Sequence, residues 1–296
     1  MNSETIFLGL KHRYSIIIRV FKLLVSLFVY LGDSGFARIS NLVGKRRKGA
    51  AVVLYLHTVK AEERTKFADL LDDLIHYAKP IPADFTGMLD QGTHYVAITI
   101  DDGLESAISH AVRELVKRKI PLTVFIPTAY IGREAGWITK GVSREKVVGI
   151  EGIQSLAQEP LATVGSHCIT HRRLASLNKE ESITEIAGSK SALDSLLGSP
   201  VTLLSFPHGS YKGADIDAAL RAGYKRVFSI LPKLAFASPE EVVCGRIAVQ
   251  PSDWRIEFRL KVFGAYRWLP AAIWLKRRLR AALSILAGLV RQERIT

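Results

Sequence analysis

Between residues 51 and 249, short apolar runs alternate with amphipathic helical runs, and this alternation constrains the fold more than any other feature. Segments 51–56, 95–100, 122–126, 162–165, 201–206, 226–230 and 242–249 read as buried strands. Segments 66–77, 104–119, 149–157, 179–197 and 215–222 read as helices. In 66–77, Phe67, Leu70, Leu71, Leu74 and Ile75 recur at helical spacing. Ile108, Val112, Leu115 and Val116 do the same in the next helix. Strand–helix alternation implies parallel strands joined by crossover helices, as a barrel or a doubly wound sheet.

Reactive side chains follow where these strands stop. His57 ends the first, Asp101-Asp102 the second, Ser166-His167 the fourth and Pro207-His208 the fifth. In a parallel barrel the strand C-termini form one rim, which carries the chemistry. The adjacent carboxylates pose a problem, because each disfavours ionisation of the other. A cation, a proton or water has to relieve them. His167 and His171, four apart, can face one way on a helical turn and chelate a metal. For the pair alone, a capped helix start with two solvated histidines is the favoured reading. Two imidazoles and one carboxylate make a facial set of three ligands that leaves metal positions open. The second carboxylate is then free to act as a base.

The charge is segregated. The net formal charge is +13, yet residues 1–50 and 250–296 each carry +7, leaving 51–249 at −1. A nucleic-acid binder carries its charge on its own folded face, so this class is excluded. The flanks mix basic residues with apolar runs. In 14–31, Arg19 and Lys22 interrupt the apolar stretch on one helical face. Lys11, Arg13 and Lys45-Arg46-Arg47-Lys48 flank it. Trp268, Trp274 and Lys276-Arg277-Arg278-Leu279-Arg280 precede the apolar run 281–290. This patterning predicts helices lying on an anionic membrane surface rather than crossing it. Ordinary packing on the domain or a second subunit is the alternative. The expected organisation is a basic amphipathic extension over 1–50, a catalytic domain over 51–250 and a second amphipathic extension over 251–296. Charges inside the apolar stretch and the two unpaired cysteines, Cys168 and Cys244, favour the cytoplasmic face of a bacterial inner membrane over secretion. Cys168 reads as a small buried thiol. His94 and His110 read as solvated, and Asp72-Asp73 as an exposed helix face.

Three segments resemble one family. Thr99-Ile100-Asp101-Asp102-Gly103 resembles the TFDDG motif of the polysaccharide deacetylases, the NodB-homology or carbohydrate esterase family 4 proteins. Ser166-His167-Cys168-Ile169-Thr170-His171, followed by Leu174 and Leu177, resembles their H(S/T)xxH motif and its leucine tail. Leu204-Ser205-Phe206-Pro207-His208-Gly209-Ser210-Tyr211 resembles the third, proline-containing motif. The resemblance covers about residues 51–250 and implies a distorted (β/α) barrel, with the amphipathic helical extensions at its two ends. It also implies metal-dependent hydrolysis of the N-acetyl group of an amino sugar. Asp101 would be the general base. Asp102, His167 and His171 would hold a divalent metal, most often zinc, and a backbone N–H near His208 would help stabilise the oxyanion.

The third motif departs from the pattern. Ser205 stands where many members have an arginine, His208 stands for a tyrosine, and no histidine lies beyond His208 to supply the usual general acid. His57 and His208 are the substitutes. Pro207, Gly209, Tyr211, Trp137 and Arg246 are candidate substrate contacts. Trp137 would stack on a sugar or cover a core edge. Arg246 would orient Asp101 or form a surface salt bridge. The expected substrate is an N-acetylated polysaccharide, oligosaccharide or lipid-linked precursor in exopolysaccharide or cell-envelope synthesis. A carbohydrate-binding or assembly protein on the same fold, or a deformylase of a lipid-linked amino sugar, are the alternatives.

Overall fold

A computed structural model describes residues 3–44, 48–137 and 145–292. Lys45, Arg46 and Arg47 lie outside these residues, as do the side chains of Lys11, Arg13 and the 281–290 run. A long helix, α1 (Ser3–Leu42), leads into β1 (Ala50–Leu56), α2 (Arg64–Tyr77), β2 (Lys79–Pro80) and β3 (His94–Ile100). A π-helical stretch over Ala107–Val112 continues into α3 (Arg113–Lys117). Then come β4 (Leu122–Ile126), α4 (Ile150–Gln158), β5 (Ala162–Ser166), α5 (Lys179–Leu197), β6 (Leu203–Ser205), α6 (Gly213–Ala222) and β7 (Arg226–Phe228). The chain closes with β8 (Val243–Cys244), β9 (Ile247–Ala248), α7 (Arg255–Val262) and α8 (Leu269–Gln292).

The strands form one sheet, ordered β8-β7-β6-β5-β4-β3-β1-β9 with β2 beside β3, and every pairing is parallel. The two edge strands are successive pieces of one short segment: β8 pairs with β7, and β9 with β1. The curled sheet is thereby closed through the covalent chain, as a distorted parallel barrel. The expected single strand over 242–249 is thus two short strands. Gly245 and Arg246 separate them; a Cβ on Gly245 would lie 2.1 Å from the Leu231 carbonyl oxygen, so only glycine fits there.

Side-chain alternation along the strands makes two cores. Val52, Leu54, Val96, Ile98 and Ile100 face the helices, where α2 buries Phe67, Leu70, Leu71 and Leu74. Ala51, Val53, Tyr95, Ala97, Phe125, Leu203 and Phe228 face the barrel interior. The same parity, followed to the strand C-termini, places Tyr55, Thr99, Asp101, His167 and Ser205 at the top of that interior. The strands read as continuous apolar runs because both faces are covered. Helix α5 has the predicted boundaries for a local reason. The Asn178 side chain accepts from the Glu181 N–H at 2.8 Å, the Glu181 carboxylate accepts from the Asn178 N–H at 3.1 Å, and Gly198 ends the helix at φ 64°.

The flanks are more integrated than their composition suggests. Phe258, Leu260, Val262, Ala265 and Tyr266 belong to the outer core, so the packed unit continues through Tyr266 rather than stopping at 250. Arg19 does not share an outward face with Lys22. It turns inward, pairs with Glu257 at 2.6 Å, donates to the Ser252 carbonyl and lies 4.3 Å from the Trp254 ring centre. Trp268 donates to Ser26 Oγ at 2.9 Å, docking α1. Asp72 pairs with Arg118 and Asp73 with Arg255, and His94 bonds the Val262 carbonyl at 2.5 Å.

Gly165 on β5 exists for packing: a Cβ there would lie 2.4 Å from the Phe125 ring and 3.2 Å from the Leu203 carbonyl oxygen. Gly165→Ala is expected to destabilise the fold by about 1–3 kcal/mol through overpacking. Urea unfolding should show this as a lower midpoint at unchanged slope.

Candidate active site

The strand β3 ends in a change of backbone hand. Asp101 continues the ladder, its N–H donating to the Leu56 carbonyl at 2.9 Å, and its side chain points into the barrel. Asp102 adopts φ 69° and Gly103 φ 58°. This left-handed turn throws the second carboxylate away from the first. It costs on the order of 1–3 kcal/mol at a non-glycine residue. Of the six non-glycine residues with positive φ among those described, four lie here: Asp102, Cys168, His171 and His208.

Asp101 meets Arg246 in a two-pronged ion pair, Nη1 to Oδ1 at 2.7 Å and Nη2 to Oδ2 at 2.8 Å. Arg246 is 0 % exposed. Its remaining donors go to Thr99 Oγ1 at 3.0 Å, Ser205 Oγ at 2.7 Å and the Ser229 carbonyl at 3.2 Å, and the Tyr55 ring lies 4.6 Å from the guanidinium. It is therefore neither a substrate contact nor a surface salt bridge, because every donor is engaged inside the barrel. Burial opposes ionisation of Asp101, but Arg246, aided by His167, outweighs it and holds the carboxyl well below the usual range. Ser205 makes room for this: a hydroxyl that accepts from the guanidinium stands where the resembled motif has an arginine.

Asp102 faces the two histidines. Its Oδ1 lies 3.5 Å from His167 Nε2 and 3.1 Å from His171 Nε2. The three ligand atoms lie within 4.8 Å of one another, and all three residues are buried. The expected helical turn is absent. His167 leaves β5 with its N–H on the Ile126 carbonyl, and residues 168–171 form an irregular loop with two left-handed residues. Glu185 on α5 ties that loop down, accepting the N–H groups of Ile169 and Thr170 at 2.8 and 2.9 Å and the Thr170 hydroxyl. Leu174 and Leu177 anchor the chain beyond it in the core.

His167 Nδ1 sits 2.7 Å from the Ser205 carbonyl, to which it must donate, so Nε2 carries a lone pair towards Asp102. Burial lowers the His167 pKa to about 4, so the ring is neutral at pH 7. Asp102 Oδ1 is buried and makes no hydrogen bond. Two lone-pair donors facing one another without a proton between them fit a divalent cation, and the carboxylate–imidazole set suits zinc or a neighbouring transition metal.

Other predicted residues sit around this cluster. Trp137 stacks on His171 at 4.1 Å, meets Tyr130 edge-on and points Nε1 at Asp102 Oδ2 across 3.4 Å. One face of its ring is therefore committed to a candidate ligand. His208 is exposed at φ 58°, 4.6 Å from His171. Burial of part of its ring, then the neighbouring His171 and Arg173, lower its pKa. His57 is exposed beside Tyr55. Pro207 is buried, Tyr211 stacks on Phe206 at 4.5 Å, and Gly209 turns at φ 59° against Ile230. Cys168 is free and buried, and burial raises its thiol pKa. Glu185 is the positioning group that no motif marks, and the backbone carbonyl of Ser205, within the third motif, is a second.

The fold is thus a parallel barrel with a buried carboxylate–imidazole cluster and a separate, arginine-clamped carboxylate at its rim. Comparison with known proteins narrows the class. The family model for polysaccharide deacetylase matches residues 89–227. YxkH of Bacillus subtilis (strain 168), provisionally assigned as a polysaccharide deacetylase, is 26 % identical over 171 residues, 58 % of this chain and 55 % of that protein. The match thus spans about half of that relative. Among solved structures, IcaB from Ammonifex degensii has a TM-score of 0.63 at 22 % identity, covering 74 % of this chain and 98 % of that one. The Streptococcus pyogenes deacetylase PplD has a TM-score of 0.59 at 17 % identity, covering 73 % and 99 %. Residues 89–227 thus resemble the polysaccharide deacetylase family, and the chain shares the parallel (β/α) barrel fold of these deacetylase structures.

Arg246→Met leaves a buried carboxylate without its cation. This should cost about 3–5 kcal/mol at pH 7. In the native chain the lowered Asp101 pKa gives a stabilisation that is complete above the unfolded value and lost only as pH falls through the folded one. In the variant, burial has lost its main opponent and raises that pKa. The stability gap to wild type should therefore narrow as pH is lowered from 7 towards 4.5, measured by urea unfolding.

Proposed function

We propose that the chain is a divalent-metal-dependent deacetylase that hydrolyses the N-acetyl group of an amino sugar in a polysaccharide or its oligosaccharide or lipid-linked precursor. One observation carries this reading. Two adjacent carboxylates are divided between two environments, Asp101 on a buried arginine and Asp102 on two imidazoles. When bound at Asp102, His167 and His171, the metal supplies Lewis acidity to an amide carbonyl and to water.

The chain's own residues supply the rest. Asp101 stays ionised and oriented by Arg246, and each carboxylate oxygen keeps a lone pair with which to accept a proton. Ser205 fixes the tautomer of His167 through its carbonyl. Trp137 covers one face of His171 and excludes water from that side. The leaving amine needs a proton, and we assign this role to the two exposed rim imidazoles, His208 and His57. The family's usual acid has no counterpart here, so the rim histidines distinguish this chain. The setting that fits such a product is exopolysaccharide or cell-envelope synthesis, where freed amines change the charge of a glycan.

The test is acetate release from N-acetylglucosamine oligomers by the purified chain. Wild type should release acetate, a chelator should stop it, and added zinc should restore it. Asp101→Asn should lower turnover by about a hundredfold or more, the size of a lost general base. His208→Gln or His57→Gln should lower turnover at unchanged metal content. A chain that holds metal and releases no acetate from any N-acetyl sugar would instead be a carbohydrate binder.

A further inference from the structure

Helix α1 is apolar on two faces, and only one of them is used. Leu23, Leu27 and Tyr30 pack on the domain, with Ser26 buried between them. On the opposite side, Ile17, Phe21, Leu24, Phe28 and Leu31 recur every three or four residues and are exposed, Phe28 to 80 %. Ile39, Leu42 and Val43 continue the exposure, so the stripe runs about 38 Å along the helix. It is joined by α8: Trp268 meets Phe21 edge-on, and one turn later Ile273, Trp274 and Leu275 are exposed. Lys276, Arg277, Arg278 and Arg280 follow, all exposed, with the Arg278 guanidinium 5.0 Å from the Trp274 ring centre. An apolar surface that is continuous from Ile17 to Leu31 and resumes at Ile39, beyond Gly35 and the exposed Arg38, is larger than a soluble monomer leaves open.

We propose that this surface is the seat of an anionic lipid bilayer, with α1 and the first turns of α8 lying in the headgroup–acyl boundary. Three observations favour lipid over a second copy of the chain. The stripe follows coiled-coil spacing only as far as Leu31, after which the seam positions are Gly35 and Arg38, so a helix seam would end within about two heptads. The apolar band is also broad at its N-terminal end, with Ile16, Ile18 and Val20 exposed beside Ile17. The bordering cations complement an anionic surface, and tryptophan beside arginine is the composition of an interfacial helix. Among the described residues no helix is long and apolar enough to cross a membrane, which agrees with a helix that lies flat.

The orientation has a consequence for the site. Arg19 is bonded to Ser252, just beyond the C-terminal end of β9, whereas Ser34 and Ala37 line one cavity with Thr93 and His94 at the start of β3. Helix α1 therefore runs along the barrel wall, antiparallel to the strands. Seated on lipid, the barrel axis lies along the bilayer plane and the rim opens sideways, towards chains lying on the surface. The lipid contact does not depend on the reaction proposed above.

The test is flotation of the full chain with vesicles of phosphatidylcholine alone or with about one third phosphatidylglycerol. The chain should float with the phosphatidylglycerol vesicles and at least tenfold less with phosphatidylcholine alone. Leu24→Asp/Phe28→Asp should lose flotation at least tenfold. Arg277→Glu/Arg278→Glu, which leaves the apolar stripe intact, should lose the preference for anionic lipid. An unchanged thermal midpoint separates these losses from misfolding, and acetate release in solution is read in parallel, so that failure of the lipid contact and failure of the enzyme reading are seen apart. A wild-type chain that stays in the aqueous phase with both vesicles overturns the proposal. So does a chain that is dimeric in solution, becomes monomeric with Leu24→Asp/Phe28→Asp and never floats.

Discussion

The ion pair between Asp101 and Arg246 is the constraint on which the rest of the site depends. Arg246 stands between the two short strands that join the sheet's edges, so the bond spans the closing segment and the end of a central strand. Closing the barrel and orienting the carboxylate are therefore one event. A buried pair of this kind contributes little net stability against an apolar replacement, but breaking one side is costly. Its value lies in what it fixes. With both oxygens of Asp101 held, that carboxylate cannot swing towards the histidines, and Asp102 alone faces the two imidazoles.

The second constraint is backbone strain. A strand alone would point Asp101 and Asp102 to opposite sides of the sheet. The left-handed turn at Asp102 and Gly103 instead keeps both at the rim, facing different partners. His171 and His208 use the same device, and Glu185 holds the strained loop between the histidines through two backbone N–H groups. Four strained residues around one cluster mark where the fold has given up local stability to aim side chains.

Much of this was legible in the sequence, and the exceptions share a cause. Strands buried on both faces write themselves as apolar runs, and a cap such as Asn178 with Glu181 writes a helix start, so the order of elements and the limits of α5 could be read directly. The carboxylate and imidazole motifs were legible because their spacing is local. The conformation between His167 and His171 was not, since spacing four suits a helical turn and an irregular loop equally. For Arg246, 145 residues from its partner, orienting Asp101 and a surface salt bridge read equally from the sequence, and only barrel closure decides for Asp101. Glu185 sits in an ordinary amphipathic helix with nothing nearby to mark its role. In the flank, Arg19 reads as a membrane-facing cation, but the Glu257 that turns it inward is 238 residues away.

The account's central claim is the division of labour between the neighbouring carboxylates, and metal content tests it most directly. Wild type, Asp101→Asn and Asp102→Asn would each be purified, loaded with zinc, dialysed and analysed for metal. Wild type and Asp101→Asn should each retain close to one ion per chain, and Asp102→Asn should retain little. Loss of metal from Asp101→Asn with retention by Asp102→Asn would contradict the assignment.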